Sequence, residues 1–232
     1  MSVEVCSYRL TLRGKPVGTH VLKTENKGRF TRMEGTSHFQ GSLGTLSVVQ
    51  SSRSSSDSHH SLRFREETKE RSENRSFDVT FDEGRGLVRA ARGPRDLAET
   101  PYLRPYRDPL SLLNEIRSLG DQGALNIAML GKDVSVQFVG EVDLATALGA
   151  KRARAYLLHP GQSVVYVDVH SPYTILKLTQ RLADGHVDAL LVRVASEPSL
   201  EAFGEDDKRQ SQDGKGARKR RGRRKPRRRR RA

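Results

Sequence analysis

The sequence predicts a mainly all-β protein: an antiparallel β-barrel or closed sandwich of about ten strands, with one helix near residues 109–119 and a disordered basic C-terminal tail. Three observations carry this prediction. Stretches of alternating apolar and polar residues recur at short, regular spacing. Turn-forming Gly, Pro and Asp separate them. One helix-start signature interrupts the series near the middle of the chain.

In chain order, Glu4–Arg13 places Cys6, Tyr8, Leu10 and Leu12 on one face and Ser7, Arg9, Thr11 and Arg13 on the other. Gly14-Lys15-Pro16 breaks that pattern, and Val17–Glu25 resumes it as the second arm of a hairpin. Strand character follows at Arg29–Phe39, Leu43–Gln50 and Ser61–Lys69. Ser51–His60, rich in serine and poor in apolar residues, reads as a long loop or a strand-end excursion. Phe77, Val79 and Phe81 share a face, Asp82-Glu83-Gly84 supplies a turn, and Leu87–Ala91 continues briefly. Asp108 before Pro109 is a carboxylate cap followed by proline at the first helical position. Leu112, Leu113 and Ile116 then recur at helical spacing, Gly120 is the expected stop, and Ser111 is expected on the helix surface. Strands return with Val134, Val136 and Phe138, then Arg152–Leu158, Val164–His170, Thr174–Leu182 and His186–Ala195.

The chain of 232 residues carries 42 Lys plus Arg against 28 Asp plus Glu, a net charge of +14. Thirteen of the basic residues fall between Lys215 and Ala232, where no acidic residue occurs. The remainder, 29 basic against 28 acidic, is nearly neutral, so the sequence describes a neutral body with a cationic appendage. The expected organisation is a β-barrel domain over 1–196, a polar linker over 197–214 and a tail over 215–232 that cannot offset its ordering entropy by burial. Apolar runs such as Ala189-Leu190-Leu191-Val192 fall far short of the roughly 18 residues of a membrane-crossing helix. Met1–Tyr8 shows neither a basic n-region nor an apolar h-region, so a cytoplasmic location is expected. One cysteine, Cys6, cannot form an internal disulfide and is expected in the core.

The order of elements resembles a bacterial β-barrel family known only as a domain of unknown function. The resemblance rests on Tyr8 in the opening strand with the Gly14-Lys-Pro-Val-Gly18 hairpin, on a Phe-Asp pair at Phe77-Asp78 or Phe81-Asp82, and on Asp108-Pro-Leu-Ser-Leu-Leu followed by Arg117. It covers roughly residues 5–195 and excludes the tail. It implies the barrel and assigns no catalytic residue. Members are usually exported envelope proteins, an implication the N-terminal residues here do not share.

The tail is the strongest chemical signal. Its cations are Lys215, Arg218, Lys219, Arg220, Arg221, Arg223, Arg224, Lys225, Arg227, Arg228, Arg229, Arg230 and Arg231. Ten of these are arginine, whose planar fork takes phosphate oxygens bidentately. Counterion release from each neutralised phosphate gives affinity without sequence readout, and with no aromatic residue interleaved the tail is not expected to stack on bases. The expected partner is nucleic acid, RNA or DNA. Acidic proteins are a further class of partner, and a membrane surface is less favoured because no amphipathic helix or acylation signal accompanies the basic run.

Candidate body contacts lie in a Pro-rich loop that combines arginine with tyrosine: Arg92, Arg95, Tyr102, Arg104, Tyr106 and Arg107. The Arg53–Arg75 group is offset by Glu66, Glu67, Glu70 and Glu73 and reads as a mixed-charge strand face. Asp168 with His170 and Asp184 with His186 could assemble an N/O metal site, but ordinary surface polarity is the stronger reading. No nucleophile elbow, zincin pair, phosphate-binding glycine loop or zinc-type cysteine spacing is present. The expectation is therefore a non-enzymatic protein without cofactor or metal, attached to nucleic acid through its tail. The alternative is a barrel holding an apolar ligand or envelope component, with the tail as a polyanion or membrane tether.

Overall fold

In the computed structural model, described for residues 2–71, 73–93, 96–121, 123–182 and 185–198, the alternating segments form fourteen strands among the described residues. They are β1 (Ser2–Leu12), β2 (Lys15–Lys27), β3 (Phe30–Phe39), β4 (Leu46–Ser55), β5 (Ser61–Glu70), β6 (Glu73–Asp82), β7 (Leu87–Ala91) and β8 (Leu97–Pro101), then β9 (Ala124–Met129), β10 (Lys132–Thr146), β11 (Gly149–His159), β12 (Ser163–Asp168), β13 (Ile175–Leu182) and β14 (Gly185–Pro198). Helix α1 (Pro109–Ser118) stands between the two groups. The expected linker at 197–214 and tail at 215–232 lie, from residue 199 on, outside the described residues.

Every ladder is antiparallel, and the sheet order is β8-β7-β6-β5-β4-β3-β2-β1-β14-β13-β12-β11-β10-β9. Each half is a plain meander of sequential hairpins, joined where β1 pairs with β14 from Ser2 opposite Pro198 to Leu12 opposite Val187. The order therefore ends at β8 and β9, the two strands flanking the helix in sequence. The connector after β8 is stitched across that interval: the Ser61 amide donates to the Tyr106 carbonyl at 2.8 Å and the Arg107 amide to the Ala128 carbonyl at 2.8 Å.

One buried cluster runs through nearly the whole sheet, including Cys6, Tyr8 and Leu10 of β1, Leu22 of β2, Met33 of β3, Phe64 of β5, Val79 and Phe81 of β6, Val165 and Val167 of β12, and Ala189 and Leu191 of β14. Leu110, Leu112 and Ile116 of α1 belong to it. The helix touches β3 and β4 on one side and β12 on the other. Strands so far apart in sheet order can flank one helix only if the sheet curls around it, so α1 fills the concave side. Burial of those three side chains stabilises the enclosed helix by roughly 5–9 kcal/mol, an upper figure because the unfolded chain already hides some apolar surface.

The architecture agrees with the expected antiparallel barrel class, with corrections of detail. Strands number fourteen because β8 and β9 were not legible. Every side chain of β8 is exposed, so its face has no apolar alternation to read. The segment 51–60, expected to be a loop or strand-end excursion outside the core, continues β4 to Ser55, with Ser52 and Ser54 buried. The Ser52 hydroxyl has an acceptor in Asp108, whereas the buried Ser54 hydroxyl has no hydrogen-bond partner among the described residues. Ser111, expected on the helix surface, is fully buried as well.

Candidate functional site

The densest polar constellation among the described residues lies where α1 enters the curled sheet. Asp108 is the helix cap: its Oδ1 accepts from the amides of Leu110 at 2.9 Å and Ser111 at 3.0 Å. Its Oδ2 accepts from the hydroxyls of Ser52 in β4 at 2.7 Å and Ser61 in β5 at 2.6 Å. The Asp108 amide in turn donates to the hydroxyls of Ser61 at 2.7 Å and Ser111 at 2.9 Å. Burial pushes this carboxyl above the usual carboxylate range, against the opposing pull of the hydrogen bonds it accepts. All of its partners belong to the chain, so the arrangement clamps the helix start to two strands and leaves no lone pair aimed at a substrate.

Two ion pairs extend the clamp. Arg107 Nε donates to Glu115 Oε2 at 2.6 Å, and its Nη2 reaches the Ser58 carbonyl at 2.7 Å. Arg117, at the far end of α1, pairs with Glu4 of β1 at 2.7 Å and donates to the carbonyls of Pro172 and Tyr173. Glu4 also accepts from the Thr174 hydroxyl at 3.0 Å. Beside them His59 sits within 3.2 Å of Asn114 and 3.3 Å of Ser118, and desolvation lowers its pKa. The Ser118 hydroxyl donates to the Glu115 carbonyl at 2.8 Å. It stands in the last turn of the helix, where carbonyls rather than amides point outward and would repel a developing oxyanion.

Deeper in the curled sheet, His20 Nδ1 lies 2.8 Å from the Ser37 hydroxyl, and Gln50 donates to Glu66 at 2.7 Å. Burial lowers the His20 pKa to about 4, so this imidazole is neutral near pH 7. Cys6 is buried on the same side, and burial, reinforced by the Glu4 charge, pushes its thiol up to about 12. The thiol is therefore not a nucleophile at neutral pH.

The loop expected to contact nucleic acid is arranged differently. Tyr106 is buried, with its ring 6.0 Å from Phe81 and 5.8 Å edge-on from Tyr102. Neither ring forms an open stacking platform. Arg92 lies over the Phe77 ring at 5.9 Å, Arg104 pairs with Asp133 at 2.5 Å, and Arg107 is committed to Glu115. Arg95 lies outside the described residues, as do all the tail cations from Lys215 to Arg231. Among the pairs weighed for metal binding, Asp168 accepts from the His170 amide at 3.0 Å and meets Lys151 at 3.4 Å, while Asp184 is outside the described residues. Among the described residues no group of three or more His, Cys, Asp or Glu is placed to hold a metal ion.

Ser52, Ser61 and Ser111 are the partners that sequence reasoning missed. The readable signal was the spacing of Asp108 and Ser111, which forms a capping box here with serine as the reciprocal partner. Nothing in sequence separation ties Ser52 and Ser61 to it.

The fold and its clamp define a class: an antiparallel, barrel-like meander curled around the capped helix α1. Residues 7–192 match the model of the family described as protein of unknown function DUF3108, and the chain belongs to that family. A solved structure with the same fold is a beta-barrel-like protein of domain of unknown function DUF1849 from Brucella abortus, similar at a TM-score of 0.55 and 10% identity, over 85% of this chain and 98% of that one. Comparison with curated proteins yields no match.

Proposed function

We propose that this protein is a non-enzymatic, nucleic-acid-associated barrel protein whose C-terminal residues 215–232 bind the phosphate backbone of RNA or DNA without sequence readout. The observation that carries the reading is the segregation of charge: 13 basic and no acidic residues from Lys215 to Ala232, on a body of nearly zero net charge. Cations gathered in one short run neutralise neighbouring phosphates together, whereas the same number dispersed over a folded surface would not. The side-chain-filled interior of the curled sheet supports this reading over a ligand held inside the barrel, because α1 and the core cluster occupy the space such a ligand would take.

The test is binding of the full-length protein to RNA, duplex DNA and anionic vesicles across a salt series, beside a variant with all 13 tail cations changed to glutamine. The expected result is a steep salt dependence on nucleic acid, bounded by a log–log slope of roughly −9 to −12 if every cation meets a phosphate, and its collapse in the variant. Undiminished binding by the variant, or tighter binding to vesicles than to either nucleic acid, overturns the proposal.

A further inference from the structure

Outside the clamp, a surface cleft among the described residues has a lining with a chemical direction. Beyond the register shift between Phe138 and Gly140, the β10–β11 hairpin continues as an arm that reaches back to touch β14. Arg152 braces this arm by pairing with Glu141 at 3.1 Å and Asp143 at 3.2 Å. Small residues stand where it turns: Gly140 opposite Ala155, with Ala153 and Ala155 buried. The arm thus lies over the face of β13, β14 and β1 that points away from the core, and beneath it is a surface cleft of about 250 Å³.

The floor of the cleft is a single cross-strand row. Arg9 of β1 stands opposite Leu190 of β14, and Leu190 opposite Lys177 of β13. Leu144 and Ala145 of the arm form the wall, and Thr11 and Asp188 complete the lining. Two cations therefore bracket a leucine, roughly 10 Å apart at the two-strand spacing of a sheet. Asp188, the one acid, is already engaged: Lys177 lies 3.2 Å from it and the Thr179 hydroxyl donates to it at 2.6 Å. Arg9 has neither an ion-pair nor a hydrogen-bond partner among the described residues, although it lines a cleft with apolar walls.

We infer that this cleft is a binding site for a small carboxylate carrying a short apolar chain, with the carboxylate on Arg9 and the chain between Leu190 and Leu144. The guanidinium fork matches a carboxylate bidentately, and Thr11 places a hydroxyl donor on the same strand face. An ammonium ligand would meet two cations and an acid that already has its partners. At about 30 Å³ per water molecule of the liquid, the volume of about 250 Å³ holds roughly eight water-sized groups, enough for hexanoate. A ligand that small binds in the millimolar range. The inference stands apart from the tail reading, because neither the residues nor the ligand are shared.

The test is residue-resolved NMR on full-length, isotopically labelled protein titrated with hexanoate, hexylammonium and acetate. Hexanoate is expected to shift the amides of Arg9, Leu144, Lys177 and Leu190 in a saturable way, while acetate, which has the charge without the chain, and hexylammonium, which has the chain with the opposite charge, leave them in place. Arg9→Gln, at an exposed position, is expected to weaken hexanoate about tenfold, the value of one charge-assisted hydrogen bond. Leu144→Asp should abolish binding by placing a like charge against the carboxylate. Absence of a saturable hexanoate shift at these residues, equal shifts with hexylammonium, or an Arg9→Gln affinity within twofold of wild type each overturns the inference.

Discussion

Replacing Asp108 by alanine tests whether the clamp at the helix start holds the sheet curled. The carboxylate accepts two first-turn amides and two buried hydroxyls, from Ser52 and Ser61. Loss of the cap costs about 1 kcal/mol. Each buried hydroxyl left without its acceptor costs about 1–2 kcal/mol of desolvation. The expected total is about 3–5 kcal/mol, a large share of the roughly 5–15 kcal/mol of a folded domain. Urea unfolding followed by circular dichroism at neutral pH should show the midpoint falling at unchanged slope. Asp108→Asn keeps an oxygen for the amides and should lose only about 1–2 kcal/mol. Burial raises the folded pKa of Asp108 above the unfolded value of 3.8, so between the two the folded state binds more protons. The contribution of Asp108 to stability therefore falls as pH rises through that window, and the advantage of wild type over Asp108→Asn should widen as pH is lowered through it. An alanine variant within about 1 kcal/mol of wild type, or an asparagine variant as unstable as alanine, would refute the reasoning.

Three other perturbations follow from the same packing. His20 has a folded pKa of about 4 against an ordinary 6.5, so the unfolded state takes up the proton first and wild type should lose about 3 kcal/mol as pH falls across that interval. His20→Gln should lack that slope in pH-dependent unfolding, and a variant that keeps it would show that another group carries it. Gly18 has φ of +151°, and a Cβ there would lie 2.0 Å from the His38 carbonyl oxygen across the β2–β3 ladder. Gly18→Ala should cost roughly 2–4 kcal/mol in urea unfolding, whereas Gly14→Ala, with open space around its Cβ, should cost less. Cys6 should resist a thiol reagent at mildly alkaline pH in the native protein and react at once in denaturant, and fast native labelling would contradict its burial and raised pKa.

What was legible in the sequence follows from where each physical cause resides. The alternation in Glu4–Arg13 is local, and β1 has the predicted inner face of Cys6, Tyr8 and Leu10. The cap at Asp108 is also local, since a carboxylate, a proline and a stop at Gly120 (φ +65°) suffice to define α1. Ser51–Ser55 misleads because composition marks serine as a surface residue, while the acceptor that lets Ser52 be buried lies 56 residues away. The Arg92–Arg107 segment also carries partners that its spacing does not show. Arginine beside tyrosine is the composition of a nucleic-acid loop, but the ring of Tyr106 is drawn into the core by Phe81 and the charge of Arg107 by Glu115. In both places a long-range partner decides between surface and interior, and one-dimensional spacing does not encode it.

The same distinction explains why the proposed anchor and the inferred cleft are of different kinds. Binding by a run of cations depends on linear charge density and needs no fold, so the proposal for residues 215–232 rests on sequence alone. The cleft needs β1, β13, β14 and the β10 arm brought together: Arg9 and Leu190 are far apart in the chain and opposite one another in the ladder. Arg9 read alone is one polar residue on an alternating strand. In the inferred site it gains a chemical role only where the curl of the sheet and the arm beyond the Phe138/Gly140 register shift set Leu144 above it. A variant that straightens the arm, such as Ala155→Phe at a buried position, should therefore weaken hexanoate binding while leaving the proposed salt-dependent binding of nucleic acid unchanged. Parallel loss of both activities would mean that the two surfaces are not independent.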